Sequence, residues 1–158
     1  DEGIEYIAHA DYYKDKVNEV LNMLRQDIDF LYEFTGDDFD LYSASYERYN
    51  DYNHAYLTYS YKKDKNEDGS GTKLLYVRAY HKDSTVRSWG EFDTIKGELL
   101  ESFTTNGINW TMYELDSPYG NAHLIGTKND YVYEIVSQDI SPNETKSTLE
   151  SFNPSTIK

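Results

Sequence analysis

The sequence contains no cysteine. Disulfides, thiolate zinc sites and thiol nucleophiles are therefore excluded as sources of stability or activity. Proline is limited to three residues, and no segment reads as a linker, a low-complexity tract or an internal repeat. Strictly apolar runs are only a few residues long, as in Leu74-Leu75-Tyr76-Val77. A bilayer span needs roughly 20 apolar residues, so no transmembrane segment is expected in this chain. Basic residues are few: 15 Lys and Arg stand against 29 Asp and Glu, a net charge of −14. Nucleic acid is not expected as a partner, because neutralising phosphates requires a basic face.

Several chemical signatures are missing as well. Gly69-Ser70-Gly71 and Gly97 build neither a phosphate loop nor a dinucleotide fingerprint. No serine sits in a G-x-S-x-G turn. His9, His54, His81 and His123 are far apart and form no ligand pair at helical spacing, so each is expected at the surface or a strand edge. His81-Lys82-Asp83-Ser84 holds the residue types of a hydrolytic triad, but neighbours along a strand point apart.

Aromatic residues are plentiful, at 16% with 17 tyrosines, and this supplies a core that a disordered acidic chain would lack. A length of 158 residues corresponds to one domain, able to bury roughly two-thirds of its unfolded surface. From Asp11 to Phe34, Tyr13, Val17, Val20, Leu21, Leu24, Ile28 and Leu31 recur at spacings of three and four, predicting one long amphipathic helix. Beyond Phe39 the period becomes two, predicting strands over 40–49, 55–62 and 73–81, the last two joined by an acidic, glycine-bearing loop. The stretch 82–96 is less regular.

Asn106-Gly107 is a strong two-residue hairpin signal. It predicts that Thr105 pairs with Ile108, Phe103 with Trp110 and Glu101 with Met112, which puts Trp110 in the core. A second hairpin about Asn129-Asp130 pairs Gly126 with Tyr133 and Leu124 with Ile135. Ser141-Pro142-Asn143-Glu144 is a capping box with proline at the first helical position, predicting a short helix over 141–152. The expected fold is therefore α+β: a mostly antiparallel sheet of about six or seven strands, with a long N-terminal helix and a short C-terminal helix packed against it.

Gly107-Ile108-Asn109-Trp110-Thr111-Met112-Tyr113, then Ala122-His123-Leu124-Ile125-Gly126, then Asn129-Asp130-Tyr131-Val132-Tyr133-Glu134-Ile135 and the 141–152 helix together resemble the PsbP-like α/β/α domain. They are also similar to small exported domains of unknown function in Firmicutes. The resemblance covers about a third of the chain. It implies a binding or accessory module of an exported or membrane-associated protein, without a catalytic signature.

Two places suggest ligand chemistry. Asp64, Asn66 and Asp68, followed by Gly69, present oxygen donors at alternate positions, the pattern by which a loop wraps Ca²⁺. The bidentate acid that would complete an EF-hand is replaced by Leu75, so calcium, the one cofactor to consider, would be held weakly; a solvated acidic turn is the plainer reading. Tyr49, Tyr52 and Tyr56, with Trp89, form a candidate ligand-binding platform for a sugar ring or a protein partner, although tyrosine also suits half-buried strand positions. Glu91, Asp93, Glu98 and Glu101 include possible carboxylate pairs for a hydrolase on carbohydrate or peptide, the alternative function. The chain opens Asp1-Glu2-Gly3 without an initiator Met or a leader. With the absence of cysteine, that leads to the expectation of an extracytoplasmic domain, secreted or lipid-anchored. The leading functional expectation is a non-catalytic exported or cell-surface domain that binds a protein or carbohydrate partner.

Overall fold

The computed structural model describes residues 4–9, 14–27, 30–34, 38–49, 52–61, 73–84, 92, 96–117, 120–150 and 152–156. In chain order the elements are β1 (Ile4–His9), α1 (Lys14–Asp27), β2 (Phe30–Phe34), β3 (Phe39–Tyr49), β4 (Tyr52–Tyr61) and β5 (Leu74–His81). They continue with β6 (Lys96–Thr105), β7 (Ile108–Ser117), β8 (Gly120–Lys128), β9 (Tyr131–Gln138), α2 (Pro142–Leu149) and β10 (Phe152–Thr156). Eight strands form one sheet in the order β1-β3-β4-β5-β9-β8-β7-β6, and β10 pairs with β2 in a separate ribbon. Every pairing is antiparallel.

This overturns the expected architecture. The helical periodicity over 11–34 corresponds to a helix of only 14 residues, and the chain then turns into β2. Phe30-Leu31-Tyr32-Glu33-Phe34 carries three aromatic residues in five, a composition that favours extended backbone. Its partner β10 lies at the other end of the chain, with Phe34 opposite Phe152, so the 141–152 helix also stops short, at Leu149. Among the described residues, ten strands in two sheets and two modest helices replace six or seven strands with a long helix.

Local signals were more durable. Asn106 and Gly107 adopt φ of 53° and 77°, the two left-handed residues of a type I′ turn. Thr105, Phe103 and Glu101 face Ile108, Trp110 and Met112 as expected. Gly126 faces Tyr133 and Leu124 faces Ile135. Ser141 caps α2, its Oγ accepting from the Glu144 amide at 3.1 Å.

Because side chains alternate along a strand, the large sheet has two distinct faces. On the core face Tyr46, Leu57, Val77, Ile135, Leu124, Met112 and Trp110 are buried in one cluster. Val17, Val20, Leu21 and Leu24 of α1 and Leu149 of α2 belong to the same cluster. Trp110 is 1% exposed, so it is core. Gly126 permits this packing. A Cβ there would lie 2.5 Å from Trp110 Cε3 and 2.6 Å from Ile108 Cγ2. The opposite face carries a smaller apolar cluster of Phe92, Leu115 and Val136 with Tyr56 and Tyr76, and a buried set of polar side chains.

Candidate functional site

On that second face, the centre of the sheet is charged. Arg78 of β5 and Glu134 of β9 are direct register partners, and both are almost fully buried. Each is the one Asp, Glu, Lys or Arg of its strand, Leu74–His81 and Tyr131–Gln138. Arg78 donates to Glu134 Oε2 from Nε at 2.7 Å and from Nη2 at 2.5 Å. His123 of β8 donates its Nε2–H to Glu134 Oε1 at 2.8 Å, and the Tyr80 hydroxyl donates to Oε2 at 3.0 Å. One carboxylate thus receives three side-chain donors from the two strands that flank its own. Phe92 covers the assembly, its ring 4.7 Å from the guanidinium carbon, 6.1 Å from the His123 ring and 5.7 Å edge-on from Tyr56. His54, buried on β4, completes the polar row beside Tyr80, its register partner.

The electrostatics follow from these contacts. Burial pushes the Glu134 carboxyl up, but the His123 hydrogen bond and the Arg78 charge outweigh it and hold its pKa at about 2. Burial, with the Arg78 charge, lowers His54 to about 4, against a smaller upward pull from Glu134. Tyr80 is raised to about 12 by burial and by the neighbouring Glu134 charge. At neutral pH the cluster is therefore one ionised carboxylate, one guanidinium and a neutral His54. Glu134 has no proton to deliver, which removes it as a general acid for hydrolysis. With Nε2–H engaged by the carboxylate, His123 is fixed in orientation, and its Nδ1 has no hydrogen-bond partner among the described residues.

These positions correct the expectation for the histidines: His54 and His123 are 1% and 0% exposed, inside the protein rather than at its surface. The available signal was a single charge in the middle of each of two strands, Arg78 in one and Glu134 in the other.

A second constellation borders solvent. Asp38 and Phe39 at the start of β3, Tyr61 at the end of β4, Lys73 before β5, Ile140, and Asn143, Glu144, Ser147 and Thr148 of α2 line a cleft of about 310 Å³. Phe39 and Tyr61 are register partners, with ring centroids 5.1 Å apart and planes at 59°. The Lys73 ammonium stands 5.2 Å from the Tyr61 ring centroid. The Tyr61 amide donates to the Lys73 carbonyl at 3.1 Å, joining the end of β4 to the residue before β5 at the cleft. The capping box places Asn143 and Glu144 on its far wall.

Of the sequence-derived site residues, Tyr56 is half-buried against Phe92 and Tyr76, with ring centroids 5.7 Å and 6.4 Å away. Tyr49 and Tyr52 are register partners at the β3–β4 turn, and their side chains lie outside the described residues. Trp89 and the proposed calcium ligands Asp64, Asn66 and Asp68 also lie outside them, as do Glu91 and Asp93. Glu101 is paired with Lys146 of α2, while Glu98 is exposed on β6, so the structure does not set these two up as an acid–base pair. Among the described residues, no group of three His, Asp or Glu side chains is placed to hold a metal ion. No helix among them is long and apolar enough to cross a membrane.

No family model, curated protein or solved structure matches the chain, so the PsbP-like resemblance rests on its motif residues alone.

Proposed function

We propose that this domain is a non-catalytic binding module whose cleft between Tyr61 and α2 receives a neutral polyhydroxylated ligand, an oligosaccharide. The observation that carries this reading is the composition of the cleft. An aromatic pair, Phe39 and Tyr61, shares one cavity with a carboxylate, an amide and hydroxyls from Asp38, Asn143, Ser147 and Thr148. Apolar ring faces of a sugar pack on aromatic rings, while its hydroxyls require side chains that both donate and accept. A volume of about 310 Å³ lies at the lower end of small-ligand sites. A net charge of −14 repels anionic polymers and favours a neutral ligand. On the same reading the domain works outside the cytoplasm, a setting that the absence of cysteine permits without favouring it over the cytosol.

The test is a titration of isotope-labelled protein with neutral tri- to hexasaccharides, read as amide shifts. The expected outcome is saturable movement of Phe39, Tyr61 and Asn143 signals, with affinity reduced about tenfold or more by Tyr61→Ala and by Asn143→Ala. Absence of any shift at these residues up to about 10 mM saccharide, a ceiling corresponding to less than about 3 kcal/mol of binding, refutes the assignment.

A further inference from the structure

The eight-stranded sheet ends at β6, and among the described residues no strand pairs with its outer edge. The type I′ turn at Asn106-Gly107 sets the hydrogen-bonding phase of this edge. In such a hairpin the residues flanking the turn exchange both backbone bonds, and every second residue does the same. Thr105, Phe103 and Glu101 therefore bond inward to Ile108, Trp110 and Met112, while Ser102 and Thr104 direct their amides and carbonyls away from β7. The short Thr104 Oγ1 to Asn109 Oδ1 contact, 2.7 Å, fits a non-hydrogen-bonded pair, where facing side chains come closest.

The side chains beside this outward row are unusual for an edge. Leu99 and Leu100 are 55% and 40% exposed, two of three large hydrophobic residues so exposed among those described. Irregular pairing at Lys96/Leu99 and Leu99/Glu101 bulges the first half of the strand, while 101–105 runs in unbroken register. Glu98, Glu114 and Asp116 are exposed around the bulged half, with the Glu114 carbonyl and the Asp116 amide 3.2 and 3.9 Å from where a Gly97 Cβ would lie. Lys96 reaches back over Tyr113, at 5.7 Å from its ring, and Glu101 is already matched by Lys146. Glu98, Glu114 and Asp116 are thus acidic groups next to exposed leucines and an open backbone row.

We propose that the outer edge of β6 is a docking site for an extended peptide segment in which lysine or arginine alternates with apolar residues, added to the sheet as a ninth strand. Backbone bonds at Ser102 and Thr104 fix its register, Leu99 and Leu100 meet its apolar side chains, and Glu98, Glu114 and Asp116 attract its cations. A second copy of this chain is a poorer occupant, because two edges of this kind bring like charges together. The site lies apart from the cleft and does not depend on what the cleft binds.

The probe is an end-capped Lys-Val-Lys-Thr-Lys-Val peptide, with its Glu-for-Lys counterpart as control. Binding of the cationic peptide should slow hydrogen exchange at Ser102 and Thr104 and weaken about tenfold between about 50 and about 500 mM salt, while the acidic peptide should not bind. Ser102→Pro removes an outward donor and no bond to β7, so it should abolish binding while the melting temperature holds. Leu100→Lys, at an exposed position, should weaken binding about fivefold or more through lost contact and charge repulsion. The proposal is overturned by any of three results: equal binding of the two peptides, undiminished binding by both variants, or protection of Ser102 and Thr104 without peptide in a protein that sediments as a dimer.

Discussion

The most demanding perturbation is Glu134→Gln. The substitution preserves the shape of the side chain and its capacity to accept from His123, but removes the charge facing Arg78. With side-chain exposures of 7% for Arg78 and 5% for Glu134, water cannot replace the lost carboxylate. Breaking a buried pair by removing one partner costs about 3–5 kcal/mol, because the remaining ion stays desolvated. Against a total stability of about 5–15 kcal/mol for a domain, that loss is large and lowers the melting temperature by roughly 10 °C. Urea unfolding followed by tryptophan fluorescence at pH 7 measures it directly, since Trp110 lies in the core. The control is the double variant Arg78→Met/Glu134→Leu. Apolar replacements of similar volume under Phe92 remove the unpaired ion but leave the His123 Nε2–H and the Tyr80 hydroxyl without this acceptor, so the double variant should recover part of the loss, about 1–3 kcal/mol. A pH series provides a second readout. The folded pKa of Glu134, about 2, lies below its unfolded value of 4.5, so the stabilisation is complete above pH 4.5 and is lost as pH falls towards 2. That limb is worth about 3 kcal/mol in the parent and should be missing in the Gln variant. A loss below about 1 kcal/mol for Glu134→Gln, or a double variant no more stable than the single, refutes the claim that burial makes this pair matter.

Gly126→Ala should destabilise by about 1–3 kcal/mol, because its Cβ lands 2.5 Å from Trp110 Cε3 in a packed core; equal or greater stability in urea would show that Trp110 moves aside at no cost. Ser141→Ala removes the oxygen that accepts from the Glu144 amide and should cost about 1 kcal/mol, measured as a melting shift of a few degrees. His54 stays neutral in the folded state down to about pH 4, whereas its unfolded counterpart takes up a proton near 6.5. Stability should therefore fall as pH drops from 6.5 to 4, by about 3 kcal/mol, and His54→Asn should flatten this region; an unchanged profile in the variant contradicts the assignment.

What could be read from the sequence was what short-range chemistry decides. Asn106-Gly107 specifies a turn because few residues tolerate two consecutive left-handed conformations, and the hairpin register then follows by counting. Ser141-Pro142-Asn143-Glu144 specifies a helix start for a similarly local reason. The helix over 11–34 failed where Leu31 continues its spacing by coincidence, because the fate of Phe30–Phe34 is settled by a strand at the far end of the chain. His54 and His123 looked unremarkable because their burial depends on Arg78 and Glu134 arriving from other strands. The cleft was hidden for the same reason: Tyr61 and Asn143 are each ordinary alone, and only the packing of α2 beside the β3–β4 edge brings them together.

The strand order also constrains how the chain can reach its native state. β3-β4-β5 and β6-β7-β8-β9 are each runs of neighbours in sequence, able to zip from their own turns, but β5 and β9 must find one another across the chain. Arg78 and Glu134, 56 residues apart, meet at that seam. A slip of one residue there would set the two charges on opposite faces of the sheet, one of them on the side held by Val77 and Ile135, and a slip of two would place Arg78 against a valine. Hydrophobic contact alone would tolerate several alignments of two strands so rich in valine, leucine and tyrosine. The ion pair makes the wrong ones expensive, so the two halves of the sheet can separate and try again rather than settle out of register.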